Sequence, residues 1–238
     1  MDDDMDDATK TDRVRDVLIS RPNEFRAGRR TLRLYPVTLG TSLILSARIG
    51  ALQPDMALLA SDPMLEALRL CTEHPQEVAE IVATCTFARR RDILDSRKVR
   101  RRGAFLAAQA SREDMATLLL LVMAPDGSEE AMRETGLDKE RQTQARIARM
   151  KQEEGSTETF GGKSLFGSLV VPACELFHCL PHTVIWEIPL AQLRLCLADR
   201  VSSVWLSEEE RMKLCLPGAD TANVEEMSLE DLMSLTRD

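Results

Sequence analysis

The sequence predicts a mainly α protein: a multi-helix body with a small N-terminal β-hairpin and disordered acidic termini. Three observations carry this expectation. Aromatic residues make up only 4% of a chain that is 44% hydrophobic, so Leu, Val, Ile, Met and Ala must fill the core, a mix that favours helices over a β-sandwich. Apolar residues recur at three- and four-residue intervals in one segment after another from Thr38 onward. Period-two alternation is confined to one short stretch around Leu32 and Leu34. A chain of 238 residues suits one or two domains with a real core.

Residues 1–12 read as a disordered acidic tail. Five Asp in residues 1–7 give that end a charge of −5, with too little apolar surface to offset the entropy of ordering. Residues 13–125 read as a hairpin plus helical domain. The hairpin runs from Glu24-Phe25-Arg26 through Ala27-Gly28-Arg29-Arg30 to Thr31-Leu32-Arg33-Leu34-Tyr35; Gly28 supplies the turn and Pro36 ends the strand. Two strands alone are marginal in water, so helices must cover them. Thr38 is placed to cap a helix over Leu39–Ile49, with Leu39 and Leu43 on one face. Asp62 caps the next, with Pro63 at its first position and Leu65 and Leu68 facing inward. Pro75 opens a third, in which Val78, Ile81, Val82 and Cys85 fall at helical spacing. Ser111 caps a fourth with Met115, Leu118, Leu119 and Val122 as its buried stripe, and Pro125-Asp126-Gly127 stops it.

Residues 126–163 form the expected internal boundary, a charged helix and flexible linker. Asp138 to Glu154 is charged nearly throughout, and Gly155 to Gly162 is a polar, glycine-containing loop. Residues 164–216 read as a C-terminal helical subdomain. It comprises one helix over Leu165–Leu180, a short turn over Thr183–Glu187, and a longer helix opened by Pro189. The stripe of that last helix is Leu190, Leu193, Leu197, Val201 and Val204. Ser207 with Glu210 makes a capping box for a final short helix ending near Leu216. Residues 217–238 are a second acidic tail, and residues 219–238 again carry −5. Setting both acidic ends aside from the total of −8 leaves about +2 on residues 8–218, so the body is nearly neutral.

The six cysteines are Cys71, Cys85, Cys174, Cys179, Cys196 and Cys215. The chain opens Met-Asp-Asp-Asp without a secretory signal, and most of the thiols sit in apolar helical stretches. They are therefore expected to be reduced, in a cytoplasmic protein. The longest apolar tract, Leu118 to Ala124, is far short of the roughly 20 residues of a membrane span. No membrane partner is expected.

Three groups of residues invite a chemical reading. Cys174, His178, Cys179 and His182 contain two ligand types at helical spacing, and Cys71 with His74 is the one other such pair. Cys179 points about 100° away from His178 on a helix, so the cluster is read as small thiols on a core-facing helix, with no metal or other cofactor. Gly161-Gly162-Lys163-Ser164 resembles the end of a phosphate loop, but Thr157 stands where the first glycine belongs and no buried strand precedes it. Nucleotide binding is rejected on that ground. The third group is basic: Arg89, Arg90, Arg91, Arg97, Lys98, Arg100, Arg101 and Arg102, against only Asp92 and Asp95. In a helix they form a cationic surface, read first as a solvated face, next as a site for an acidic protein, and last for nucleic acid, since no aromatic residue interleaves with them. No nucleophile–base motif is present, and the chain is expected not to be an enzyme; no catalytic residue is assigned.

Three stretches carry a family resemblance: Phe25 to Gly40 (FRAGRRTLRLYPVTLG), Thr159 to Glu175 (TFGGKSLFGSLVVPACE) and Val184 to Glu210 (VIWEIPLAQLRLCLADRVSSVWLSEEE). They resemble tail assembly chaperones of long-tailed bacteriophages and prophages of gut bacteria. The Ile-Trp-x-x-Pro-Leu-x-x-Leu element is Ile185 to Leu193 here. The resemblance implies a strand pair before a helical body, and a non-enzymatic role in the bacterial host cytoplasm. Such proteins bind the long helical tape measure protein and keep it soluble while tail-tube subunits polymerise around it. Eleven Met and a Leu-rich helical body suit adaptable grooves for a partner helix, and a homo-oligomer is also compatible. A nucleic-acid-binding regulator using residues 89–102, and a structural tail or neck subunit, are the rival readings.

Overall fold

The computed structural model describes residues 14–124, 126–153, 155 and 164–214. The acidic termini, Cys215, Pro125 and the Gly161-Gly162-Lys163 stretch lie outside these residues. The fold is mainly α with a two-stranded antiparallel hairpin near the N-terminus. Residues 14–19 form a short helix (α1). β1 (Asn23–Ala27) pairs with β2 (Arg30–Leu34), with Phe25 opposite Leu32 and Ala27 opposite Arg30. Gly28 turns the chain with φ +56°, a left-handed conformation natural to glycine, and a Cβ there would lie 2.2 Å from Gln109 Oε1. The turn is thus pressed against a helix, as an isolated hairpin requires.

The main core is built around α5 (Pro75–Cys85). Val78, Ala79, Ile81, Val82 and Ala83 are all buried, because α2 (Leu39–Ala51), α4 (Pro63–Glu73), α7 (Ser96–Gln109), α8 (Arg112–Met123) and β2 surround it. The expected caps are in place. Thr38 Oγ1 accepts the Thr41 N–H, Asp62 accepts the Leu65 N–H, and Ser111 and Asp114 form a reciprocal capping box. Met115, Leu118 and Leu119 are buried as expected, and Val122 packs at the margin.

Two inward faces differ from expectation. Leu43 is exposed, whereas Leu39 and Leu45 are buried, because α2 serves different clusters along its length: Leu39 packs with Val170, Val184 and Leu193, and Leu45 and Leu52 join the main core. Leu65 is exposed and Leu68 only half-buried; α4 instead buries Ala67, Leu70, Cys71 and the charged Glu66. Four short helices were not anticipated: α1, α3 (Met56–Ser61), capped by Asp55, α6 (Arg90–Ile93), and α9 (Ser128–Glu134), whose Ser128 N–H is held by Asp126 at 3.0 Å.

By contacts the described residues group into two compact units, one drawn from Met1–Arg141 and Thr159–Arg200, the other from Gln142–Glu158 and Val201–Asp238. In the first, α9 packs Ala131 and Met132 against Val17, Ala191 and Leu195. α10 (Leu137–Glu153) is helical as the charged segment suggested. In the second unit, Lys151 meets Glu210 at 3.0 Å, Arg146 reaches the Leu214 carbonyl at 3.1 Å, and α14 (Glu208–Lys213) carries the expected Ser207–Glu210 capping box.

The helices after Ser164 are shorter than the sequence implied. A π-helical turn, Phe166–Val170, runs into α11 (Val171–Phe177), which ends at His178 in a left-handed conformation. α12 (Pro181–Trp186) follows, then α13 (Leu190–Ala198). The apolar stripe expected to reach Val204 stops with that helix. Val201 is 93% exposed, because the chain leaves the first unit after Arg200 and has no core to face.

Candidate functional site

The basic run is divided between α6 (Arg90–Ile93) and α7. Asp95 caps α7 by accepting the N–H groups of Arg97 and Lys98 at 3.0 and 3.2 Å. Val99, Gly103 and Leu106 are buried toward α5, and at about 100° per residue Arg97 and Arg101 fall on the opposite face and Arg100 on its flank, all three exposed. The acids of the run are engaged elsewhere: Asp92 takes Lys98 at 2.5 Å, which holds its carboxyl below the usual range. Among the described residues no ion pair reaches Arg97, Arg100 or Arg101.

The hairpin contributes further cations that sequence reasoning did not join to the run. Arg30 lies over the Phe105 ring of α7 at 5.2 Å. Arg102 stacks on Phe87 at 5.0 Å and donates from Nη1 to Thr86 Oγ1 at 3.3 Å. Partial burial lowers the Arg102 guanidinium pKa from its ordinary value, and the charges of Arg30 and Arg101 lower it further, so these three cations are close neighbours. Arg29 is exposed at the turn. Arg30 is paired with Ala27, the buried residue that ends β1.

A second feature is apolar. The buried side of the π-turn and α11 is Val170 and Ala173, packed with Leu39, Val184 and Leu193. On the outer side Leu165 and Phe166 are 47% and 53% exposed, and Val171 is also exposed. The Val171 N–H donates to the Phe166 carbonyl, five residues back, a π-type turn that brings both residues to one flank of the helix. An apolar residue on both sides of one helix exceeds what its own core requires.

Of the sulfur and imidazole groups, Cys174 and Cys179 are neighbours in one apolar cluster. Cys174 and Cys179 are half-buried, with the Cys179 N–H bonded to the Cys174 carbonyl at 3.3 Å, and burial raises the Cys174 thiol pKa. His178 is exposed at the helix end, and His182 meets Glu187 at 3.0 Å on the surface. Cys71 is buried in α4, and His74 joins α4 to α5. Among the described residues no group of three or more His, Cys, Asp or Glu is placed to hold a metal ion. Likewise, no described helix is long and apolar enough to cross a membrane. Ser164, the described end of the glycine-rich stretch, accepts the Gly167 N–H at 3.1 Å and so starts the helix that follows.

No protein-family model matches the sequence, and comparisons with curated proteins and with solved structures return no match.

Proposed function

We propose that this protein is a tail assembly chaperone, or a related tail-morphogenesis protein, of a long-tailed phage, which binds the helical tape measure protein without performing a reaction. The observation that carries the reading is the bare apolar edge of Leu165, Phe166 and Val171 on a segment whose other side is already buried. The stretch Thr159 to Glu175, which contains this edge, is one of the three that resemble tail assembly chaperones. A helix with spaced apolar residues suits such an edge, because it buries area without needing polar groups to pair. The π-turn supports the same reading, since such turns inside helices are frequent at functional sites.

The test is co-expression with the tape measure protein of the same phage genome. The wild-type chain is expected to raise the soluble fraction of that protein and to co-elute with it. Phe166→Ser with Val171→Ser is expected to abolish both effects while leaving the circular dichroism spectrum unchanged. An unchanged partner solubility and no complex with the wild-type chain would defeat the reading.

A further inference from the structure

We infer that the arginine face of α7, extended by the turn of the hairpin, is a docking surface for an acidic polypeptide. This surface is distinct from the apolar edge above, and the inference holds whether or not the tail reading does. Its first support is a conflict between charge and helix polarity. A helix N-terminus bears partial positive charge and favours acidic side chains nearby. α7 carries Arg97, Lys98, Arg100, Arg101 and Arg102 in its first two turns and no acidic residue in its first turn. Asp95 offsets part of this from the cap, and Asp92 neutralises Lys98, but Arg97, Arg100 and Arg101 have no anionic partner among the described residues. Packing does not require them, because the buried face of α7 is Val99, Gly103 and Leu106. A local rule broken without a gain in the fold marks a place where the gain lies outside it.

The geometry selects the class of partner. Arg97, Arg100 and Arg101 are three and four residues apart, so their side chains form one row matched by carboxylates at the same spacing on another helix. Beyond Arg101 the same outward face continues as Ala104, Ala107 and Ala108, all exposed and small enough to let a second backbone come close. Arg30 lies over Phe105 of the same helix, and the exposed Arg29 precedes it in the hairpin turn. Nucleic acid fits less well. Phe105, Phe87 and Trp186 each already hold a guanidinium over the ring, from Arg30, Arg102 and Arg90, which competes with base stacking there. The charge of −5 at each end of the chain also opposes a long polyanion more than a short acidic segment.

The test uses the full chain and three labelled probes in fluorescence anisotropy: a helical peptide with Glu at three- and four-residue spacing, a scrambled peptide of the same composition, and a short DNA duplex. The Glu-spaced peptide is expected to bind most tightly, with affinity falling as salt is raised. Replacing Arg97, Arg100 and Arg101 together by Ala is expected to weaken that binding about tenfold, the product of three exposed charge pairs. Arg149→Ala, at an exposed arginine on α10, is set against Arg97→Ala, which removes the same single charge, and is expected to leave binding unchanged where Arg97→Ala weakens it. The triple variant removes cations from the positive end of a helix and should melt no lower than wild type, which keeps the comparison clean. Equal binding by the triple variant, no binding by the wild type at low salt, or a preference for the duplex would each overturn the proposal; the last would assign the face to nucleic acid.

Discussion

Glu66 has no exposed surface, yet it carries a charge. Arg69 donates to it from Nε and Nη2 at 2.8 and 2.6 Å, and the Asp55 N–H donates at 2.8 Å, so the carboxylate joins the start of α3 to α4. The guanidinium of Arg69 holds the Glu66 carboxyl below its ordinary value, against the opposing effect of burial. A lowered native pKa means the stabilisation is full above about pH 4.3, the value for an unfolded Glu, and is lost as pH falls through the native value. Arg69→Ala leaves a buried carboxylate without its counter-ion and is expected to lower the urea midpoint at neutral pH. The variant should also lose less stability than wild type when the same measurement is repeated near pH 3. Reading apolar residues as inward chose Leu65 and Leu68, whereas the helix buries Glu66, Ala67, Leu70 and Cys71 and turns Leu65 outward. Nothing at single-residue level in the sequence reveals a buried carboxylate before its partner is placed. The thiols give a second check. Burial pushes Cys71 up to about 11 and Cys85 up to about 12, so both stay protonated near neutral pH. Mass spectrometry after brief iodoacetamide treatment should find both unlabelled in the native protein and labelled in denaturant; rapid native labelling of Cys85 would contradict its burial.

At the level of elements, α5 and α7 approach closely because Gly103 faces α5. A Cβ at that position would sit 3.1 Å from Glu80 Cγ and 3.2 Å from the Glu80 backbone nitrogen. A backbone atom cannot step aside as a side-chain end can. Gly103→Leu is therefore expected to lower stability by about 3 kcal/mol through overpacking, measured by thermal or urea melts. A melt equal to wild type would show that the helices separate freely. The helices most legible in the sequence are those whose start is written in side chains: Thr38, Asp62 with Pro63, Ser111 and Ser207 all cap where expected. α3 was missed although Asp55 caps it by the same chemistry, because six residues are too few to show a periodic stripe. The lengths of the later helices were overestimated for a different reason. His178 adopts a left-handed backbone with φ 49°, and Leu197 to Val204 keeps helical spacing after the helix has ended. Periodicity records what a helix could bury and not where its core stops.

On the scale of the whole chain, the large apolar clusters all belong to the first unit, whereas the described part of the second buries little beyond Ile147, Glu210 and Leu214. Local opening free energy follows buried apolar contact. Hydrogen exchange followed by mass spectrometry should therefore find α5 amides the slowest and those of 201–213 among the fastest, with Trp205, 80% exposed, emitting as a solvated indole before any denaturant is added. Slow exchange throughout α14 would refute this ordering. The arginine run was visible in the sequence, but its extension by Arg29 and Arg30 was not, because it depends on the hairpin lying across α7. The apolar edge at Phe166 was hidden for a related reason: the sequence shows which residues are apolar, and only the packing shows which of them the core leaves out. That edge owes its alignment to one surplus residue in the Phe166–Val170 turn. Chain length at this point therefore acts as an angular setting. Removing Gly167 would let an ordinary α-turn close and swing Leu165 and Phe166 by about 100° relative to Val171, re-aiming them without altering a single apolar side chain.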